Sequence, residues 1–204
     1  MADTFLDKVY GATPPENVCE LYDAWAPSYD AEVTENGYAT PARAAKALAQ
    51  HLASRDVPIL DYGCGTGLCG VALQTVGFKV IDGCDISTQM LARATDKAVY
   101  RTLDRVDFDA PPDIAPGTYA AITAIGVMGA GAAPISLLDG LMSKLAKGGK
   151  LVFSQNDLAR KRRGSMARIH EHLDTGSATL LHAKVGPHLP GINLKSTIYI
   201  LEKN

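Results

Sequence analysis

Residues 60–67 read Leu60-Asp61-Tyr62-Gly63-Cys64-Gly65-Thr66-Gly67, and the reading of this stretch decides the fold. It closes an apolar run over 57–63 (VPILDYG) that suits a strand buried on both faces of a parallel sheet. Glycines at alternate positions let the backbone approach a ligand at that strand's carboxyl end, where a change of strand order leaves a crevice. Asp61 puts a carboxylate at the base of the turn. A second strand is predicted over 78–85 (FKVIDGCD), and Asp85 at its end is placed to accept both hydroxyls of a ribose. Asp107 lies just after a weakly marked third strand near 102–106.

Two ligands compete for such a loop. Gly65 to Gly70 (GTGLCG) satisfies GxGxxG, with Asp85 twenty residues beyond Gly65, which by pattern alone would be an NAD site. Asp61 opposes that reading, because a carboxylate there repels a pyrophosphate and suits a ligand carrying an ammonium and a sulfonium. The chain length also leaves little room for a dehydrogenase's separate substrate domain. A small NAD-dependent oxidoreductase is therefore the lesser alternative.

On the N-terminal side of the loop, a helix is predicted over 14–25, with Thr13 as N-cap, Pro14 at N1 and Glu16 completing a capping box. Val18, Leu21, Tyr22 and Trp25 form one helical stripe, and Pro27 stops it. Thr40-Pro41 starts a second, alanine-rich helix running to about 54. On the C-terminal side, helices are expected from the glycine turn to about Val76, over 87–98 with Ser87 as cap, and over 135–149, closed by Gly148-Gly149. A fourth strand is expected over 118–128 and a fifth over 150–155.

Strands alternating with helices predict a parallel sheet with right-handed crossovers. The connection over 107–118, with Pro111-Pro112 and Pro116-Gly117, has little room for a helix. The last two strands, 178–185 and 195–202, are joined by nine residues, too few for a helical crossover, so they should pair antiparallel. The expected fold class is α/β: a Rossmann-like sheet of five parallel strands plus a C-terminal antiparallel hairpin, with helices on both faces. Residues 1–204 read as one domain, with 1–56 as a helical cap and lead-in.

Composition narrows the function classes. The chain has 204 residues, 47% apolar and 21% charged, so wholesale disorder is excluded. A net charge of −2 gives no global electrostatic case for a nucleic-acid or membrane partner. No apolar stretch approaches the ~18 residues of a membrane span, and the N-terminus lacks the basic start and apolar core of a signal peptide. The expectation is a soluble cytoplasmic protein. Cys19, Cys64, Cys69 and Cys84 show neither CxxC pairing nor zinc-ligand spacing, so no metal is expected.

LDYGCGTG with GCDIS resembles the first two motifs of class I S-adenosylmethionine-dependent methyltransferases. CELYDAWAPSYDAEV (19–33), AITAIGVMGAGAAP (121–134) and GGKLVFS (148–154) are similar to motifs of a methyltransferase-like subgroup typified by the protein of the Williams–Beuren syndrome region. The resemblance runs from about residue 9 to the C-terminus. It implies S-adenosylmethionine as cofactor, with Gly63, Cys64 and Gly65 under its methionine part and Asp61 near its amino group, directly or through water. Asp85 would take the ribose hydroxyls, Ile86 and Met90 would pack on the adenine, and Asp107 would meet the adenine amine beside the Phe108 backbone. Ile125 and Gly126 would line the methionine side, while Tyr22, Tyr29 and Trp25 would close the site.

The implied activity is in-line transfer of a methyl group to a small-molecule acceptor. No [DNS]PP[YFW] motif of amino-methyltransferases is present. Two departures stand out: Ala120 replaces an acidic residue common in relatives, and Gly129-Ala130-Gly131-Ala132 stands where the subgroup often has a histidine pair. The second removes an obvious general base and leaves a cofactor-binding module without catalysis as the alternative. Asp157, His170 and His172 are the remaining candidate bases, and no residue is assigned as catalytic. The basic run Arg160-Lys161-Arg162-Arg163 is either a solvated loop or a lid attracting a carboxylate or phosphate.

Overall fold

The computed structural model describes residues 5–10, 17–107, 111–128, 133–161 and 164–204. The apolar run before the glycines forms β1 (Pro58–Tyr62), buried at all but its first residue. Beside it lie β2 (Val80–Asp85) and the three-residue β3 (Leu103–Arg105). On its other side lie β4 (Ala121–Ala124), β5 (Lys150–Asn156), then β7 (Leu194–Lys203) and, at the edge, β6 (Ala178–Leu189). β1 runs parallel to β2, from Pro58 opposite Val80 to Tyr62 opposite Cys84, and parallel to β4 from Ile59 opposite Ala121. β7 lies antiparallel to both β5 and β6. The chain leaves β1 toward β2 and β3, then returns to β4 on the opposite side. The crevice of an open α/β sheet forms at that reversal.

Each face of the sheet is covered. Toward one face, α4 (Thr40–His51) and α5 (Leu68–Thr75) bury Leu48 and Leu73 against Ile59, Val152 and Ile200. Toward the other, α7 (Leu137–Ser143) and α9 (Ser165–Asp174) bury Leu141 and Ile169 against Leu151, Phe153 and Tyr199. α6 (Thr88–Asp96) follows β2, and Ser87 caps it by accepting the Met90 N–H at 3.0 Å. A third cluster joins α1 (Phe5–Tyr10), α2 (Val18–Trp25) and α3 (Tyr29–Glu35) to Met90 and Leu189. A four-residue α8 (Asp157–Arg160) follows β5. Among the described residues, no helix is long and apolar enough to cross a membrane.

The sheet has the expected class and topology, while several boundaries differ. The first predicted helix begins at Val18, because Asn17 accepts the Glu20 N–H; the Thr13–Glu16 cap lies outside the described residues. β4 ends at Ala124, short of the expected 128, because the chain turns there and the Gly126 N–H goes to Ser154 Oγ at 2.9 Å. α7 is shorter than 135–149 because i→i+3 turns bound it, Leu138 N–H to Ile135 C=O before and Leu145 N–H to Met142 C=O after. β6 continues through Gly186 and Pro187, since a proline on an edge strand gives up no ladder bond. The connection shrinks to a 3₁₀ turn, Pro190–Ile192, and Asn193.

Candidate functional site

A cleft of about 690 Å³, counted out to its open mouth, sits at the carboxyl ends of β1, β2 and β4. Of the fourteen residues singled out from sequence, Tyr22, Tyr29, Gly63, Gly65, Asp85, Ile86, Met90, Ile125 and Gly126 line it. Val18, Tyr62, Val106, Val127 and Ala133 complete the wall and were not anticipated. Val18 and Tyr62 carried a readable signal, one on the α2 stripe and one inside the glycine motif. Val127 and Ala133 are brought to the wall beside a bridge between Met128 and Ala133, which only the fold creates.

The floor is built around Gly65. Its φ of +55° lies in the left-handed region, and a Cβ there would meet no protein atom within 4 Å. That empty space belongs to the cleft. Asp85 stands beside it, 8% exposed, with Oδ2 accepting the Gly65 N–H at 2.8 Å and Oδ1 accepting the Ser87 N–H at 2.9 Å. Burial raises its pKa, the backbone donors pull it back, and the charge of Asp61 adds to the rise. The two bonds fix the carboxylate's orientation and leave each oxygen a further lone pair for a ligand hydroxyl.

Asp61 lies beneath the loop rather than in the cleft lining. It is 1% exposed; Oδ2 accepts from the Tyr100 hydroxyl at 2.7 Å and Oδ1 from Thr123 Oγ1 at 2.7 Å. Burial raises its pKa and these hydrogen bonds oppose the rise. Tyr100 also accepts the Gly70 N–H at 3.1 Å, and its ring fills the space that the missing side chain of Gly70 leaves. The last glycine of the GxGxxG pattern is therefore explained by an internal tyrosine, not by a pyrophosphate. Sequence reading missed Tyr100 because nothing local distinguishes it from a loop aromatic.

Cys64 is buried and lines a small adjoining hollow with Tyr29, Tyr38 and Cys69; burial pushes its thiol well above the usual range. Trp25 is 2% exposed, donates from Nε1 to Glu32 Oε2 at 2.7 Å, and stacks behind Tyr22. It backs the wall without lining it. Asp107 is exposed in a neighbouring hollow shared with Ile86 and Val106. Phe108 lies outside the described residues. Tyr22 is held protonated, its phenol pushed up to about 12 by burial and by Asp85.

The helical cap is fastened to this floor by two aspartates. Asp23 accepts from Ser87 Oγ, at the N-cap of α6. Asp30 accepts from Thr66 Oγ1 at 2.5 Å and pairs with Lys97 Nζ at 2.6 Å. Of the candidate bases, His172 has both ring nitrogens committed, to Asp139 Oδ1 and to Ser177 Oγ, each at 2.8 Å, and His170 is exposed. Asp157 opens α8. Gly129 to Ala132, where the subgroup's histidine pair is missing, lie outside the described residues. Among the described residues, no group of His, Cys, Asp or Glu could hold a metal ion.

Comparison with known proteins fits this geometry. A family model described as a methyltransferase domain matches residues 34–183. The human methyltransferase-like protein 27 is 34% identical over 121 residues, covering 58% of this chain and 49% of that protein. A ribosomal protein L11 methyltransferase of Thiobacillus denitrificans is 32% identical over 96 residues, covering 47% of this chain and 31% of that protein. The chain thus spans half or less of the length of these curated relatives. The structure of magnesium protoporphyrin IX methyltransferase from Synechocystis PCC 6803, with bound S-adenosylmethionine, aligns with a TM-score of 0.59 at 17% identity, covering 98% of this chain and 90% of that one.

Proposed function

This chain belongs to the methyltransferase-domain family, whose cofactor is S-adenosylmethionine, and from that premise we propose that it transfers a methyl group from S-adenosylmethionine to a small-molecule acceptor. The observation that carries the reading is the open Gly65 backbone set beside the oriented Asp85 carboxylate. A bare peptide edge and a paired acceptor suit the amino-acid and ribose parts of one ligand. In this reading Gly63 and Gly65 face the methionine part, Asp85 takes the ribose hydroxyls, and Ile86 and Met90 pack on the adenine. Asp61 and Cys64 support the loop from below and beside it, Asp107 stands at the outer end of the adenine, and Trp25 backs Tyr22 and Tyr29. The chain is one domain of the Williams–Beuren-type subgroup, with residues 1–56 as its cap. Its free cysteines suit the reducing cytoplasm.

When bound, the cofactor supplies an electrophilic methyl on a sulfonium that departs as a neutral thioether, so nothing has to protonate the leaving group. The work left to the protein is alignment and exclusion of water. Asp85 and the Gly65 backbone fix the depth of the nucleoside. Tyr22 and Tyr29, latched in place through Asp23 and Asp30, close the cleft on one side. Val127 and Ala133 form the apolar wall on the other. A nucleophile that is already anionic would need no base at all, which fits a cleft whose acidic side chain, Asp85, is engaged with backbone donors.

The substrate class is tested with methyl-labelled S-adenosylmethionine, offered to the protein with either a protein-free metabolite extract or a dialysed protein fraction. Label passing into small molecules supports the proposal. Label passing only into protein would place the acceptor with those of the ribosomal protein methyltransferases. Bound cofactor with no transfer to either fraction would make the chain a binding module.

A further inference from the structure

The cleft has two unlike halves. Its floor holds the oriented Asp85 carboxylate and the glycine backbone. Its far wall is made by Tyr62, the last residue of β1, by Ile125 and Val127 just after β4, and by Ala133. Tyr62 and Ala133 belong to the main hydrophobic core and Val127 packs against it, so this wall is the open edge of that core. Val127 also stands directly over the glycine loop: a Cβ on Gly63 would come within 2.4 Å of its Cγ2. The side chain that meets the loop on this side is a branched hydrocarbon.

Groups that exchange protons are scarce here. Among the described residues, Asp85 is the only carboxylate that lines the cleft, and no lysine, arginine, histidine or cysteine lines it. Asp85 is engaged by the Gly65 and Ser87 N–H groups. The stretch joining Met128 to Ala133 reads Gly129-Ala130-Gly131-Ala132 and brings no titratable side chain. His188, the imidazole packed against Tyr38, is bonded to Thr40 Oγ1 at 2.7 Å and does not line the cleft. Such a wall sorts nucleophiles by their chemistry. An alcohol has to lose a proton that no group on this wall accepts. An amine is an ammonium at pH 7, with only about 0.04% free at a pKa of ~10.4. It would also bring a positive charge toward a sulfonium in an apolar medium that strengthens their repulsion. A thiol needs no base: at its ordinary pKa of ~8.5, about 3% is thiolate at pH 7, and the thiolate is intrinsically a strong nucleophile. In an apolar cleft thiolate and sulfonium attract more strongly than in water, and their charges cancel as the methyl moves.

We propose that the methyl acceptor is a small thiol with an apolar, uncharged body, converted to its methyl thioether against the wall of Tyr62, Val127 and Ala133. This rests on the methyl-transfer reading and names its substrate class. The thiol gives its proton to bulk water. Its sulfur lone pair forms the new carbon–sulfur bond, the methyl–sulfonium bond breaks onto the departing sulfur, and two neutral thioethers result. Val127 and Ala133 hold the apolar body and keep water from the thiolate. A carboxylate or ammonium on that body would be left without a partner on this wall.

The test offers the whole chain S-adenosylmethionine with acceptors matched in shape: benzyl mercaptan against benzyl alcohol and benzylamine, and methyl mercaptoacetate against mercaptoacetate. Methylated products are read by mass spectrometry, with protein-free blanks subtracted. Benzyl mercaptan should exceed its alcohol and amine in kcat/KM by about a hundred-fold or more. Methyl mercaptoacetate should exceed the free acid by about ten-fold or more. Val127→Ala, which trims the wall, should raise KM for benzyl mercaptan by about three-fold or more. Turnover of the alcohol or amine as fast as the thiol, no transfer to any thiol, preference for the free acid, or a KM unmoved in Val127→Ala would overturn the proposal. Failure of S-adenosylmethionine to bind, read by calorimetry on the same preparation, would instead overturn the methyl-transfer reading.

Discussion

Replacing Tyr100 with phenylalanine removes one oxygen and keeps the ring that packs against Gly70 and lies 3.0 Å from where a Cβ on Gly83 would stand. The lost oxygen donates to Asp61 at 2.7 Å and accepts the Gly70 N–H at 3.1 Å. A hydrogen bond to a buried carboxylate is worth about 1.5–3 kcal/mol, and an orphaned buried N–H adds to that. The expected loss at pH 8 is about 2–3 kcal/mol, a fall in Tm of about 4–12 °C for a chain of this size. The pH dependence is more diagnostic. Burial already holds the Asp61 pKa above its ordinary value, so the folded state binds a proton that the unfolded chain releases near pH ~3.9. That contribution is complete below the unfolded value and is lost as pH rises through the folded one. Removing the Tyr100 donor moves the folded value higher still. The deficit of Tyr100→Phe should therefore shrink as pH falls toward the unfolded carboxylate value of ~3.9, read by urea denaturation across the range from pH 8 to pH 4. A deficit that does not shrink anywhere in that range would refute the pairing of Asp61's charge with Tyr100.

Two glycines of the same loop should respond in opposite ways. Gly65→Ala carries only the backbone strain of a left-handed residue, about 1–2 kcal/mol, and should fold yet lose at least ten-fold in S-adenosylmethionine affinity, because its methyl enters the cleft. Gly70→Ala overlaps the Tyr100 ring and should lose about 1–3 kcal/mol of stability, seen in its urea midpoint. His188, 3% exposed and bonded to Thr40 Oγ1 at 2.7 Å, has its pKa pushed down to about 4 by burial, with the charge of Arg43 adding to the shift. Its contribution is present above the unfolded histidine value of about 6.5 and is lost as pH falls through about 4, at most about 3 kcal/mol. His188→Asn should flatten that limb of the stability profile, and an unchanged acid limb would show that His188 does not set it.

The parts of the fold legible in the sequence were those with a short-range cause. β1, β2 and their glycine turn announce themselves by an apolar run ending in alternate glycines, and Ser87 announces α6 by its cap. α9 carries a readable stripe, with Met166, Ile169 and Leu173 spaced for one helical face. α3 and α8 are too short for periodicity to show. The end of β4 is invisible in the sequence because it depends on Ser154 receiving the Gly126 N–H, a contact between residues 28 apart in the chain. The cleft-lining residues of the two motifs meet because the strands that end in them lie side by side. The support beneath them has no local sign: Tyr100 lies 39 residues from Asp61, and Glu32, seven residues beyond Trp25, turns that indole into the cap's own core.

The most direct test of the central claim is calorimetric titration of the purified chain with S-adenosylmethionine, S-adenosylhomocysteine and NAD, run in parallel on the native protein and on Asp85→Asn. The account predicts micromolar binding of the two adenosyl ligands and no heat from NAD. It also predicts at least ten-fold weaker adenosyl binding in the variant, because the ribose loses its charged acceptor. Binding of NAD alone, or adenosyl binding indifferent to Asp85, would contradict it.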